Sequence, residues 1–417
     1  MTLASPLGPA GTPPRPASRF LDPATPPHIA TLILLAGISA LNMSIFLPSL
    51  QGMADHFGAD YAVMQFAVSG YLAATALLQL VIGPLSDQFG RRPVVLGALA
   101  IFVLATIGCL LAPNTGTFLA FRFLQSAVVA GMVLSRAVVR DIVPAAESAS
   151  MIGYVTMGMS LVPMVGPMIG GALDQLAGWR ASFTFLALAG AGVLLLAWRD
   201  QGETATGMGR GLVAQIRAYP RLLTSQRFWG YSLCAAMGSG AFFALLGGAS
   251  FVAQGVFGLS PLATGIALGA PAVGYMAGNG ISGRYAVRAG IDRLALIGAA
   301  VSSFGMGLSL VLSLAGVDSA WVFFGLCTFL GLGNGLLMPN AIAGSLSVVP
   351  ELAGSASGLG GTIMIGGGAV LSALAGTWLT EETGILPLQV IMLVTSLLAG
   401  VAILWVMARA RAVAARG

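Results

Sequence analysis

Apolar runs about 20 residues long recur from one end of this chain to the other, and that leaves it very few folds. Wound as a helix, such a run matches the hydrocarbon thickness of a bilayer. Of 417 residues, 57% are hydrophobic and 8% charged, where a typical soluble domain carries roughly 25% charged residues. A water-soluble fold has too little interior to hide that much apolar surface. Soluble globular, disordered and fibrous chains are thereby excluded. At roughly 33 residues for each span and its loop, the length admits about twelve spans.

The runs predict spans near residues 29–50, 61–82, 93–111, 117–139, 148–173 and 179–198, then 228–254, 261–283, 294–314, 319–343, 352–379 and 386–407. The fold class is therefore an all-α integral membrane protein of twelve transmembrane helices in two pseudo-symmetric six-helix bundles. Residues 1–27 hold eight prolines and no apolar core of a signal peptide, so a disordered tail is expected there. The remaining divisions are an N-terminal bundle at 28–198, a polar linker at 199–227, a C-terminal bundle at 228–408 and a tail at 409–417. The span-two ending at Gly83–Gly90 has a degenerate echo near Gly280–Gly290, about half a chain away, as a parallel repeat requires.

All 19 basic residues are arginine. In this topology they gather on one side: Arg15 and Arg19, Arg91 and Arg92, Arg140, the linker arginines, Arg284 to Arg293, and Arg409 to Arg416. The opposite loops hold Arg180 alone. The positive-inside rule puts both termini in the cytoplasm. The net charge of +5 then reports membrane topology and not nucleic-acid binding. The six tryptophans sit near expected span ends, where amphipathic rings anchor to headgroups. Cys109, Cys234 and Cys327 are far apart in apolar runs and read as buried hydrophobes, and His28 and His56 read as solvated. No metal or cofactor is expected, and no catalytic motif marks an enzyme.

Four groups of residues carry functional signals. Gly83, Asp87, Gly90, Arg91 and Arg92 lie in GPLSDQFGRRP, a turn on the Arg-rich side where Asp87 has arginine or a helix N-terminus to pair with. Arg122 is the one arginine well inside a span, at a position where insertion costs about 2.5–3.5 kcal/mol, so it faces a partner or a cavity unless it snorkels out. Gln125 lies one turn away. Pro163, Gly166, Pro167 and Gly170 give span five a bent helix with a small face, a hinge, a seal or an ordinary packing surface. Asn42, Gln65, Tyr71 and Asn334 are polar groups available to line a central cavity or to bond between helices.

GPLSDQFGRRP resembles the loop-two-three signature of the major facilitator superfamily, with Gln88 replacing the usual basic residue. Arg122 and Gln125 resemble the span-four Arg-x-x-Gln-Gly of its drug exporters, with Ser126 in place of glycine. The span-five Gly-Pro pairs resemble its antiporter signature. Phe46-Leu-Pro48, Ser69-Gly70-Tyr71 and Arg136 to Asp141 are similar to the bicyclomycin/chloramphenicol-resistance (Bcr/CflA) branch. The resemblance implies a multidrug:proton antiporter of the bacterial inner membrane, taking small molecules and protons as partners and acting as a monomer. It implies a conformational latch at Asp87 to Arg92 and proton coupling at Arg122 and Gln125. One departure matters: the acid that relatives carry in span one is absent from Leu41-Asn42-Met43-Ser44, and no Asp or Glu lies in the middle of any span. A cavity without acids suits neutral or weakly anionic amphipathic compounds better than cations. The same absence keeps open an uncoupled facilitator or an importer of a small metabolite.

Overall fold

A computed structural model describes residues 18–143, 151, 155, 162–205, 219–349, 352–380 and 382–414. These residues form twelve long helices. The first six are α1 (Ile29–Phe57), α2 (Tyr61–Phe89), α3 (Arg91–Leu110), α4 (Thr115–Ile142), α5 (Val162–Ala177) and α6 (Trp179–Asp200). The second six are α7 (Gln226–Val256), α8 (Pro261–Ala289), α9 (Ile291–Leu314), α10 (Ala320–Ser347), α11 (Ala353–Trp378) and α12 (Leu386–Ala414). Ten of them meet both the length and the apolarity needed to cross a membrane. The exceptions are α8, diluted by glycine, tyrosine and asparagine, and α5, whose expected first half lies outside the described residues.

Helices dominate because hydrocarbon offers no water to backbone N–H and C=O groups, so each segment must satisfy its own. Their starts carry ordinary signals. Asn114 accepts from the Thr117 N–H (2.9 Å), and Ser260 accepts from Ala263 (3.2 Å) ahead of Pro261. Single glycines with positive φ make the tightest turns, at Gly90 (φ 94°) between α2 and α3 and at Gly290 (φ 85°) between α8 and α9. The GPLSDQFGRRP stretch is thus helical up to Phe89, and its turn is Gly90 alone.

The two halves repeat each other's packing. Within the first, α1 lies on α4, α5 and α6, and α3 on α4 and α6; the same pairs recur six helices later. Across the halves, α2 packs on α11 and α5 on α8, a pair of contacts that exchange when the halves are swapped. Close approach depends on missing side chains. Gly166 and Gly170 of α5 lie on Ser44 and the Ile45 carbonyl of α1, and Gly265 of α8 lies on the Pro167 backbone. Gly274 and Gly331 seat α8 against α10, backbone on backbone.

Several end groups differ from their sequence reading. Residues 1–17 lie outside the described residues, but from Ser18 the tail turns back onto the end of α6. There the buried Asp200 carboxylate accepts from the Leu21 N–H (2.7 Å), the His28 N–H (2.9 Å) and the Thr31 hydroxyl (2.6 Å). The His28 ring caps α1 by accepting from Ala30 and meets Phe20 edge-on. Trp198, Trp321, Trp378 and Trp405 are exposed as headgroup anchors should be, but Trp179 is buried among Phe57, Phe118 and Phe183. That cluster, with His56 against Arg180, closes the Arg-poor end of the first half. The three cysteines are free and buried.

Glycine packing gives a test with opposite signs. A β-carbon at Gly331 of α10 would strike the Pro271 backbone, whereas one at Gly280 of α8 meets open space. Gly331→Ala is expected to destabilise the purified protein by about 1–3 kcal/mol. Gly280→Ala is expected to stabilise it by about 0.5–1 kcal/mol. Thermal midpoints in detergent read both.

Candidate functional site

Arg122 is fully buried near the start of α4. Its guanidinium lies between two aromatic faces, 4.2 Å from the Phe46 ring centre of α1 and 4.2 Å from that of Tyr71 of α2. Neutral acceptors surround its edge. Nε donates to the Ala67 carbonyl (3.0 Å), Nη1 to Asn42 Oδ1 (2.8 Å) and Gln125 Oε1 (2.7 Å), and Nη2 to the Asn42 carbonyl (2.9 Å). Gln125 passes its own amide on to Thr106 of α3 (2.7 Å). A 3₁₀ turn at Gln125–Val128 interrupts α4 directly after the arginine. No carboxylate touches Arg122 among the described residues. A desolvated cation normally needs a counter-charge or a full set of hydrogen bonds. This one makes four bonds, all to neutral oxygens.

The other expected cavity residues separate. Asn42 and Tyr71 belong to the Arg122 cage. Gln65 instead reaches across the halves, donating to the Ser372 carbonyl (2.6 Å) and hydroxyl (2.8 Å) of α11. Asn334 is buried at the contact between α7 and α10, where its Oδ1 lies against Gly238.

Polar bonds between the halves cluster toward the Arg-poor end. Pro48 breaks α1 into a 3₁₀ turn, and the carbonyls of Leu47 and Pro48 accept from Ser250 and Gln254 of α7. Gln254 sits in a π-helical turn, Phe251–Val256. Tyr61 donates to the Gly247 carbonyl (2.8 Å), and Thr362 of α11 donates to Ala76 of α2 (3.1 Å) nearer mid-helix. No hydrogen bond or ion pair between described residues joins the halves at the Arg-rich end. Of the span-five group, Gly166, Pro167 and Gly170 lie where α5 meets α1 and α8; nothing is described of the Pro163 side chain.

At the Arg-rich end Asp87, Gly90, Arg91 and Arg92 form one cluster inside the first half. Arg91 pairs with Asp87 one turn back and with Asp141 at the end of α4 (Nε–Oδ2 3.0 Å), and it donates to Ser86. Arg92 donates to the Trp198 carbonyl (2.9 Å). The turn is closed by a residue that sequence reasoning left in the linker. Glu203 takes the Arg91 N–H on one carboxylate oxygen (2.8 Å) and the Arg92 N–H on the other (3.2 Å), so it caps α3. The space Gly83 leaves is open, whereas Gly90 lies directly against the Glu203 carboxylate. Burial pushes the Glu203 carboxyl up, but the N–H groups of Ala205, Arg91, Arg92 and Thr204 outweigh it and hold it below the ordinary carboxylate range. Arg136 lies inside α4 and is partly exposed.

The family model of the Major Facilitator Superfamily matches residues 32–368. The chain belongs to the Major Facilitator Superfamily. It is similar to an uncharacterized MFS-type transporter, YdgK, of Bacillus subtilis, at 30% identity over 88% of this chain and 92% of that one. It is 29% identical to a chloramphenicol resistance protein of Pseudomonas aeruginosa, covering 83% and 84%. With multidrug resistance protein D of Escherichia coli it shares 27% identity over 82% and 87%. A solved bacterial homologue of the human lysosomal transporter Spinster shares the superfamily fold, with a TM-score of 0.69 at 17% identity over 92% of this chain and 96% of that one.

Two outcomes follow from the site. Gln125→Ala strips Arg122 of an acceptor and removes the amide that donates to Thr106, and should cost about 1–3 kcal/mol of stability, read as a lower thermal midpoint. Glu203 has a folded-state pKa below its unfolded one. Its contribution is therefore complete above the unfolded value, about 4.3, and is lost as pH falls through the lowered folded value. Thermal midpoints of the wild type and Glu203→Gln, measured from neutral pH downward, should differ at neutrality and converge in acid.

Proposed function

We propose that this superfamily member exports small amphipathic compounds across a bacterial inner membrane by alternating access, driven by proton influx. The relatives named for chloramphenicol and multidrug resistance align over most of the chain and support drug export. The cross-half bonding supports alternating access most directly: the halves are tied at the Arg-poor end and mid-span, and no bond between described residues joins them at the Arg-rich end. With arginines cytoplasmic, both termini lie inside and the tied end faces out. On this reading the interface between the halves is closed toward the outside. The protein works as a non-enzymatic monomer on this reading. The polar residues of the interface and of the Arg122 cage are the substrate candidates.

Proton coupling has a titratable cluster available in Asp87, Arg91 and Asp141, which joins α2, α3 and α4. One observation favours a second reading, the uncoupled facilitator: Arg122 is held by neutral groups where a coupling acid would stand.

Everted vesicles from an overexpressing strain separate the two. With a proton gradient established, chloramphenicol is expected to collapse it, and Arg122→Ala vesicles are expected to hold it. Drug flux without any collapse would replace the antiporter with the facilitator.

A further inference from the structure

The Arg122 cage holds more donors than acceptors. The guanidinium has five N–H groups. Its bonds to Ala67, Asn42 and Gln125 engage one on Nε, both on Nη1 and one on Nη2. One Nη2 N–H remains. Asn42 spends its side-chain oxygen and its backbone carbonyl on the arginine, which leaves its Nδ2 amide buried without a partner. Thr75, one turn beyond Tyr71 on α2, has a buried hydroxyl that likewise makes no close hydrogen bond, and the neutral Tyr71 hydroxyl lies near both groups. The Phe46 and Tyr71 rings cover both faces of the cation, so a further group meets it edge-on, in the guanidinium plane.

What such a place lacks is an acceptor with negative charge. The cation is desolvated, and no acid lies in the middle of any span. A monoanion supplies the missing acceptor and the missing charge together. A second guanidinium, Arg136, lies about 20 Å further along α4. Two cations on one helix, with no acid between them in its sequence, draw anions inward along the path.

We propose that Arg122 and the Asn42 amide form the receptor for a monoanionic group, and that the transported compounds include amphipathic organic monoanions. The direction of transport rests on the export reading; the receptor does not. The same chemistry fits inorganic chloride, which would occupy the receptor between substrates.

Binding to the purified full-length protein in nanodiscs tests this without relying on flux. Radiolabelled decanoate is the probe, and unlabelled decanoate, decanamide and decyltrimethylammonium compete for it in gluconate or chloride buffer. Decanoate is expected to compete better than decanamide by about tenfold or more. Asn42→Asp replaces the amide by a carboxylate of the same shape and gives Arg122 an internal counter-ion. It should weaken decanoate binding by a similar factor and improve competition by decyltrimethylammonium. Competition by chloride would assign the resting site to the inorganic ion, and equal affinity in both buffers would assign it to organic anions alone. Equal competition by decanoate and decanamide on the wild type overturns the proposal, whatever the variant's folding. So does a folded Asn42→Asp protein with unchanged decanoate affinity. If cells export neither decanoate nor chloramphenicol while the binding results hold, the export reading falls and the receptor stands.

Discussion

Inside a bilayer a polar group has no water to turn to, and every buried donor must be answered by the protein. Arg122 is where that demand is greatest. Its charge is met by three carbonyl-type oxygens of α1, α2 and α4, a backbone oxygen of α1 and two ring faces, so helices from different parts of the chain converge on one side chain. The cross-half contacts follow the same logic at smaller scale. Pro48 and the 3₁₀ turn release carbonyls from α1, and side chains of α7 answer them. Where the structure interrupts a helix, it places a polar side chain of a neighbour.

Much of the architecture could be read from the sequence because it rests on one-dimensional patterns. Apolar runs mark spans regardless of packing, and the arginine distribution marks their alternation. The weakest span by apolarity, α8, is weak in part for a physical reason: Gly274 and Gly278 lie against the α10 backbone, where larger residues would not fit. Arg122 was legible as a lone charge in a span. Its cage was not, since the Ala67 and Asn42 backbone oxygens are available to any helix and carry no sequence signature.

The linker was the least legible part. Asp200, Glu203 and the tail residues Leu21 and His28 look like solvated polar chain, yet they are bonded to helix ends. A carboxylate that caps a helix distant in sequence cannot be told from a soluble one by composition. The end of α4 was set short for a related reason: the helix runs on from Val139 through Ile142, and a run of mixed polarity conceals where a helix ends. Trp179 shows the converse, an interfacial residue by position that turns inward because three phenylalanines offer it a packed cluster.

The cage and the glycine seams give the two halves unequal mechanical properties. Arg122 and Gln125 cross-brace four helices of the first half, so α1, α2, α3 and α4 resist sliding past one another. In the second half α8, α9 and α10 meet through Gly274, Gly278, Gly298, Gly331, Gly333 and Gly335, smooth surfaces with few side-chain teeth. Shear costs little along such seams and much across a brace. As the halves rock, the first behaves as a stiff frame and the second as the compliant part, and the elastic deformation of each cycle falls on α8 to α10.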